Sequence, residues 1–190
     1  MLKKSIWLAI TGLLCLSSAV MAEDLFNLDK PSDDQFYGGF SLSTSDTDRC
    51  SYHGVDCKGN GWKLFGGYKF TPNVGVEGGY YRLFRRDGTS GNDYVTLNAT
   101  GMALSAVGSM PLNSQTEVFG KAGFMTWDLN GKLTNGVDSG QVNSGGTDVL
   151  LGVGAGYKLT ENWGIRGEYE HVGGDLKAGI YSVGTTFSTY

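Results

Sequence analysis

Proline is scarce in this 190-residue chain, with three residues at positions 31, 72 and 111, and cysteine is as rare, at positions 15, 50 and 57. With so little proline, the composition is neither collagen-like nor disordered. Charged residues make up 18%, below the usual level of about a quarter, and the formal charge of -4 gives no electrostatic basis for binding nucleic acid. Beyond residue 22 no stretch approaches the roughly 18 consecutive apolar residues of a spanning helix. What the chain has in excess is glycine, 31 residues, beside 40% hydrophobic and 12% aromatic residues. Glycine is poor in helix interiors, so the composition predicts one β domain in place of a helical bundle.

The first residues carry an address. Lys3 and Lys4 precede an apolar run from Ile6 to Leu16, and Ser17, Ser18, Ala19 and Ala22 follow, the order of charged, apolar and small residues found in a secretory signal peptide. Cleavage after Ala22 would remove residues 1–22, including Cys15, and leave residues 23–34 as a polar, acidic and flexible periplasmic lead-in. Cys50 and Cys57 then remain in an oxidising setting, where two close thiols most simply form one disulfide. His53 lies between them, but one histidine with two cysteines lacks the spacing of a zinc module, and no metal site is expected.

From Gln35 onward the chain alternates with a period of two, which sets successive side chains on opposite faces of a strand. Eight such runs are legible, beginning near Phe36, Trp62, Val74, Met102, Val118, Val149, Trp163 and Tyr181. Three connections are short: Thr71–Asn73, Pro111–Thr116 and Thr160–Asn162. The other four, Thr44–Asn60, Phe84–Asp93, Asp128–Gly146 and Val172–Ala178, read as loops rich in Gly, Asn, Asp and Ser. Eight strands with short turns at one end and longer loops at the other predict an all-β, eight-stranded antiparallel up-and-down barrel over residues 35–190.

The two faces of these strands say what surrounds the barrel. One set holds Trp62, Tyr68, Phe70, Tyr80, Met110, Tyr157, Leu159, Trp163 and Tyr169, with large rings concentrated near the short turns, as a membrane girdle requires. The other holds Lys63, Glu77, Lys121, Arg166, Glu168 and Glu170 among Gly, Ser and Ala, which suits the narrow polar interior of a transmembrane barrel. A soluble periplasmic barrel with an apolar ligand cavity would reverse the faces.

Residues 62–83, Trp-Lys-Leu-Phe-Gly-Gly-Tyr-Lys-Phe-Thr-Pro-Asn-Val-Gly-Val-Glu-Gly-Gly-Tyr-Tyr-Arg-Leu, resemble the second hairpin of the OmpA-like transmembrane domain. The stretch from Tyr157 through Thr160 and Trp163 to Arg166-Gly167-Glu168-Tyr169 resembles the sixth and seventh strands of that family. The resemblance implies an outer-membrane location in a Gram-negative bacterium, contact with outer-membrane lipids and lipopolysaccharide, and insertion by the outer-membrane assembly machinery. It also implies that Glu77 and Arg166 stand where the family places a central carboxylate–guanidinium pair whose rearrangement is proposed to gate a narrow pore. The family's lumen lysine on strand four matches Val107, and its acid on strand six matches Gly156; Lys121 on strand five, which matches a basic lumen position, is expected to substitute in part. Tyr190 is terminal but off the register of Tyr181, Val183 and Phe187. The peptidoglycan-binding domain of longer family members is not expected.

An unpaired charge in so narrow a lumen is costly, so pairing among Glu77, Lys121, Arg166, Glu168 and Glu170 is expected whether or not ions pass. No enzyme is expected. His171 next to Glu170 has no serine two or four residues away, Asp46, Asp48 and Asp56 lack the spacing of a calcium loop, and no cofactor motif is present. Function is therefore expected in the loops, where Tyr52 and His53 between the two cysteines are the recognition candidates, the alternative being a stapled loop that only resists proteolysis. The sequence reads as a monomeric barrel presenting loops for adhesion, recognition of a receptor or surface ligand, or envelope integrity. The alternative is a narrow, low-conductance channel for ions or small solutes through the charged lumen.

Overall fold

Along much of each strand every second residue looks outward, and these residues are large and apolar. Phe36, Phe40, Leu42, Leu64, Tyr80, Met102, Leu104, Phe124, Val149, Leu151, Val153, Trp163, Ile165, Tyr181 and Val183 are all exposed. Their partners in the alternation, Ser41, Ser43, Lys63, Glu77, Ser105, Lys121, Arg166, Glu168, Glu170 and Ser182, are buried. This inversion of a soluble core is stable only when lipid covers the outside.

The computed structural model describes residues 36–47, 58–90, 93–134 and 139–189. They form eight antiparallel strands: β1 (Phe36–Thr47), β2 (Lys58–Lys69), β3 (Val74–Ser90), β4 (Asp93–Pro111), β5 (Thr116–Thr134), β6 (Ser139–Lys158), β7 (Trp163–Val172) and β8 (Ala178–Thr189). Each pairs with the next, and β1 closes on β8 through Phe36↔Thr189 to Thr47↔Ala178. The barrel has no free edge around its membrane-spanning part, as a spanning sheet requires. The expected signal peptide at 1–22, the lead-in at 23–34, Cys50, Cys57, Tyr52, His53 and Tyr190 lie outside the described residues.

Side-chain caps close the short turns. Thr71 Oγ1 accepts from the amides of Asn73 at 3.3 Å and Val74 at 3.0 Å, Asn113 Oδ1 from Gln115 at 2.9 Å and Thr116 at 2.7 Å, and Thr160 Oγ1 from Trp163 at 3.1 Å. Just above these turns the outward rings pair as a girdle: Phe36 with Tyr68 at 4.8 Å, Tyr68 with Phe70 at 5.3 Å, and Trp163 with Phe187 at 5.1 Å between centroids.

The structure corrects two expected loops. Residues 84–90 and 93, and residues 128–134 and 139–146, are paired strand, with ladders running to Ser90↔Asp93 and Thr134↔Ser139. In consequence β4, β5 and β6 have 19, 19 and 20 residues against 10 in β7. At about 3.4 Å per residue, the β3–β6 side stands roughly 25 Å above the β7–β8 side along the strand direction. The upper stretches carry exposed Asp128, Asn130 and Asn143 on one face, while Ala99 and Gly131 on the other are buried. A bulge between Arg82 and Phe84 marks where β3 leaves the barrel proper and turns both Leu83 and Phe84 inward.

Candidate functional site: a charged lumen closed at one end

Four strands deliver the lumen charges. Lys63 comes from β2, Glu77 from β3, Lys121 from β5, and Arg166, Glu168 and Glu170 from alternate positions of β7. Glycine gives these long side chains room to lie across their neighbours. A Cβ on Gly152 would meet Lys121 Cε at 2.8 Å, and one on Gly154 would overlap the Phe119 ring. On the lipid face, by contrast, a Cβ at Gly108 or Gly167 would meet nothing within 4 Å.

The side chains form one network with three cations and three carboxylates. Arg166 donates through Nη1 to Glu77 at 2.7 Å and through Nη2 to Glu168 at 2.9 Å. Lys121 Nζ reaches Glu77 at 3.2 Å, Glu168 at 2.8 Å and also Glu170. Lys63 Nζ contacts Glu168, lies 3.4 Å from Glu170 and 3.6 Å from Glu77, and is fully buried. The remaining lone pairs find hydroxyls: Tyr37 donates to Glu77 at 3.1 Å, Tyr81 to Glu170 at 2.7 Å and Ser182 to Glu168 at 3.1 Å. The Arg166 guanidinium lies 4.0 Å from the Phe119 ring centroid and 4.7 Å from that of Phe65, which gives its faces cation–π partners.

All five residues expected to pair, Glu77, Lys121, Arg166, Glu168 and Glu170, meet here. Lys63, which belongs to the same inward set, is the sixth member. Val107, which the resemblance matches to the family's strand-four lysine, is directly cross-strand from Lys121. His171 is exposed on the face opposite to buried Glu170, and the two do not form an acid–base pair.

Above the network, toward the long strands, the lumen is mainly apolar. Tyr81, Leu83, Phe84, Ala103, Met125, Trp127, Leu150, Val172, Leu176 and Ile180 form one buried cluster. Leu176 belongs to the β7–β8 turn and folds into the barrel mouth, where it is 5% exposed. The Asp148 carboxylate holds it there by accepting from the Leu176 amide at 2.9 Å and from Trp127 Nε1 at 2.8 Å. Left-handed backbone at Gly174, with φ of 59°, lets the turn pass close to that carboxylate. Nothing in the alternation of the sequence announced this latch. Below the network the lumen opens into a small cavity toward the short turns, lined in part by Tyr37, Lys69, Glu117, Phe119, Arg166 and Thr186.

Comparison with known proteins agrees with this geometry. The family model described as "Outer membrane protein beta-barrel domain" matches residues 8–188. Outer membrane protein A of Yersinia pseudotuberculosis is 30% identical over 134 residues, covering 65% of this chain and 38% of that protein. The same protein of Klebsiella pneumoniae is 28% identical over 172 residues, covering 82% and 48%. The chain thus spans half or less of the length of these relatives. Among solved structures, Ail, the attachment invasion locus protein of Yersinia pestis, aligns with a TM-score of 0.62 at 18% identity, covering 83% of this chain and all of that one. OprG from Pseudomonas aeruginosa aligns at 0.60 and 15%, covering 85% and 98%. A closed eight-stranded barrel, apolar outside and charged within, together with a match over nearly the whole chain, makes this protein a member of the outer membrane protein β-barrel family of Gram-negative bacteria.

Proposed function

We propose that the protein is a surface-display barrel: a non-enzymatic, monomeric outer-membrane scaffold whose long-strand end serves adhesion, recognition or envelope integrity. The observation that carries this reading is the closed lumen. A conduit would have to displace Leu150, Val172, Leu176 and Ile180 as well as rearrange the ion pairs, whereas a display scaffold profits from a filled and rigid interior. The β3–β6 stretches that rise above the membrane level add a platform on one side of the mouth. In this reading residues 1–22 are the cleaved export signal and residues 23–34 the periplasmic lead-in. Lipopolysaccharide and lipid surround the belt, the assembly machinery inserts the chain, and the segment 50–57, stapled by Cys50–Cys57, presents Tyr52 and His53 to a receptor or surface ligand.

Two measurements test the proposal together. Purified protein in planar bilayers is expected to give no steady conductance, and cells carrying a deletion of residues 50–57 are expected to lose binding to host cells or surface ligand at unchanged barrel abundance. Reproducible channel steps that disappear in Arg166→Ala, with binding unaffected by the deletion, would favour the low-conductance channel instead.

A further inference from the structure

Among the described residues, Leu176 is the one member of the buried apolar cluster that no strand carries. It belongs to the five-residue turn between β7 and β8, and its turn neighbours Gly174, Asp175 and Lys177 are exposed. A strand residue is held in place by its ladder, whereas a single buried residue in an exposed turn has to be held by something else.

The turn is tied down at its two ends. The Gly173 amide donates to the Val149 carbonyl of β6 at 2.8 Å, and the Lys177 amide returns to the Gly173 carbonyl at 3.3 Å. Between these points the backbone enters the left-handed region twice, at Gly174 with φ of 59° and at Lys177 with φ of 45°. Glycine adopts that conformation freely, but for lysine it is strained. The contact that keeps the strained turn folded inward is Asp148, whose Oδ2 accepts from both the Leu176 amide at 2.9 Å and Trp127 Nε1 at 2.8 Å. One carboxylate oxygen thus joins the barrel wall to the turn. A Cβ on Gly174 would overlap Asp148 Oδ1, so the inward turn and a side chain at this position exclude each other.

We propose that residues 173–177 are a lid over the long-strand mouth, that Asp148 is its catch, and that the lid lifts while the barrel stays folded. Val172 and Ala178 pair directly below it, so lifting leaves the β7–β8 ladder whole and bends the chain only at Gly173, Gly174 and Lys177. Release of the strain at Lys177 offsets part of the cost of exposing Leu176. The open state uncovers the rim of the apolar cluster, a socket that fits one aliphatic side chain from outside. It opens no path through the lumen, because Leu150, Val172 and Ile180 beneath it belong to strands. The inference goes beyond the display reading and stands whether or not the long-strand end binds a receptor.

Amide hydrogen exchange, resolved by residue on the intact protein in lipid nanodiscs, tests the lid. In the parent the Leu176 amide is expected to exchange at least tenfold slower than an unprotected peptide, because Asp148 holds it, and at least tenfold faster than the Gly173 amide, which is bonded to the wall. Asp148→Ala is expected to bring Leu176 to within threefold of the unprotected rate and to leave Gly173 within twofold of the parent. Gly174→Ala, which keeps both Asp148 and Trp127, is expected to free the Leu176 amide in the same way and to speed exchange of the Trp127 indole N–H at least fivefold. A parent Leu176 amide as slow as Gly173 makes the turn a fixed part of the wall and overturns the lid. An unprotected Leu176 amide in the parent, or one that stays protected in either variant, overturns the catch.

Discussion

Replacing Lys63 by Met removes one of three cations from a lumen that holds three carboxylates and leaves the shape nearly filled. Lys63 is fully buried, contacts Glu168, and stands 3.4 Å from Glu170 and 3.6 Å from Glu77, so the substitution strands a net negative charge where neither lipid nor bulk water reaches. Breaking a buried pair by removing one partner costs about 3–5 kcal/mol, which sets the expected loss for Lys63→Met. The double variant Lys63→Met, Glu170→Gln restores the balance to two cations and two carboxylates, and the Gln carbonyl still accepts from Tyr81. It is therefore expected to recover to within about 1–2 kcal/mol of the parent, because a matched removal of opposite charges is close to neutral. The assay is reversible urea unfolding in lipid vesicles, followed by tryptophan fluorescence and by heat-modifiable mobility. Two results would refute the reasoning: a loss below about 1 kcal/mol for the single variant, which means the carboxylates do not need Lys63, or a double variant whose losses simply add.

Other perturbations probe the remaining layers. Trp127→Phe keeps the ring in the apolar cluster but removes the donor to Asp148; a hydrogen bond to a charged group is worth about 1.5–3 kcal/mol, and the urea midpoint should fall accordingly. Gly184→Ala drives a methyl into the Phe40 carbonyl and Ser41 Oγ and should cost about 1–3 kcal/mol, whereas Gly167→Ala, with nothing within 4 Å of its Cβ, should stay within about 0.5 kcal/mol of the parent in the same assay.

The membrane-spanning part of this fold was legible because its two faces meet different surroundings. Trp163, Ile165 and Tyr169 against Arg166, Glu168 and Glu170 is an alternation that only a lipid-facing and lumen-facing strand produces. That signal stops at the membrane boundary while the hydrogen-bond ladder does not. Asn130↔Asn143 and Thr89↔Tyr94 are paired like any other strand residues, yet the Gly, Asn, Asp and Ser around them make their order look like a loop. The lumen network was legible for the same reason, except for Lys63. Counting charge finds the missing member: Glu77, Glu168 and Glu170 against Lys121 and Arg166 leaves one negative charge, and inward Lys63 on strand two supplies the cation. The Asp148 latch left no such trace, since it joins a strand residue to a turn amide whose place is set by backbone geometry at Gly174.

Why a sealed lumen should be built from charges at all follows from register. A buried salt-bridge network contributes little net stability over a well-packed apolar interior, because desolvation consumes most of the attraction. Its value appears when a strand slips. A one-residue shift of β7 against β6 and β8 would turn Arg166, Glu168 and Glu170 toward lipid and bring Gly167, Tyr169 and His171 inside. Lys63, Lys121 and Glu77 would then face one another with an excess of positive charge, and three ions would stand in hydrocarbon, where charged side chains cost several kcal/mol near the midplane. An apolar lumen would make the same slip cheap, since leucine and glycine are tolerated on either face of such a barrel. The network thus ties β2, β3, β5 and β7 across the axis, which strand pairing between neighbours does not do. It holds the cross-section that supports the long strands above the membrane.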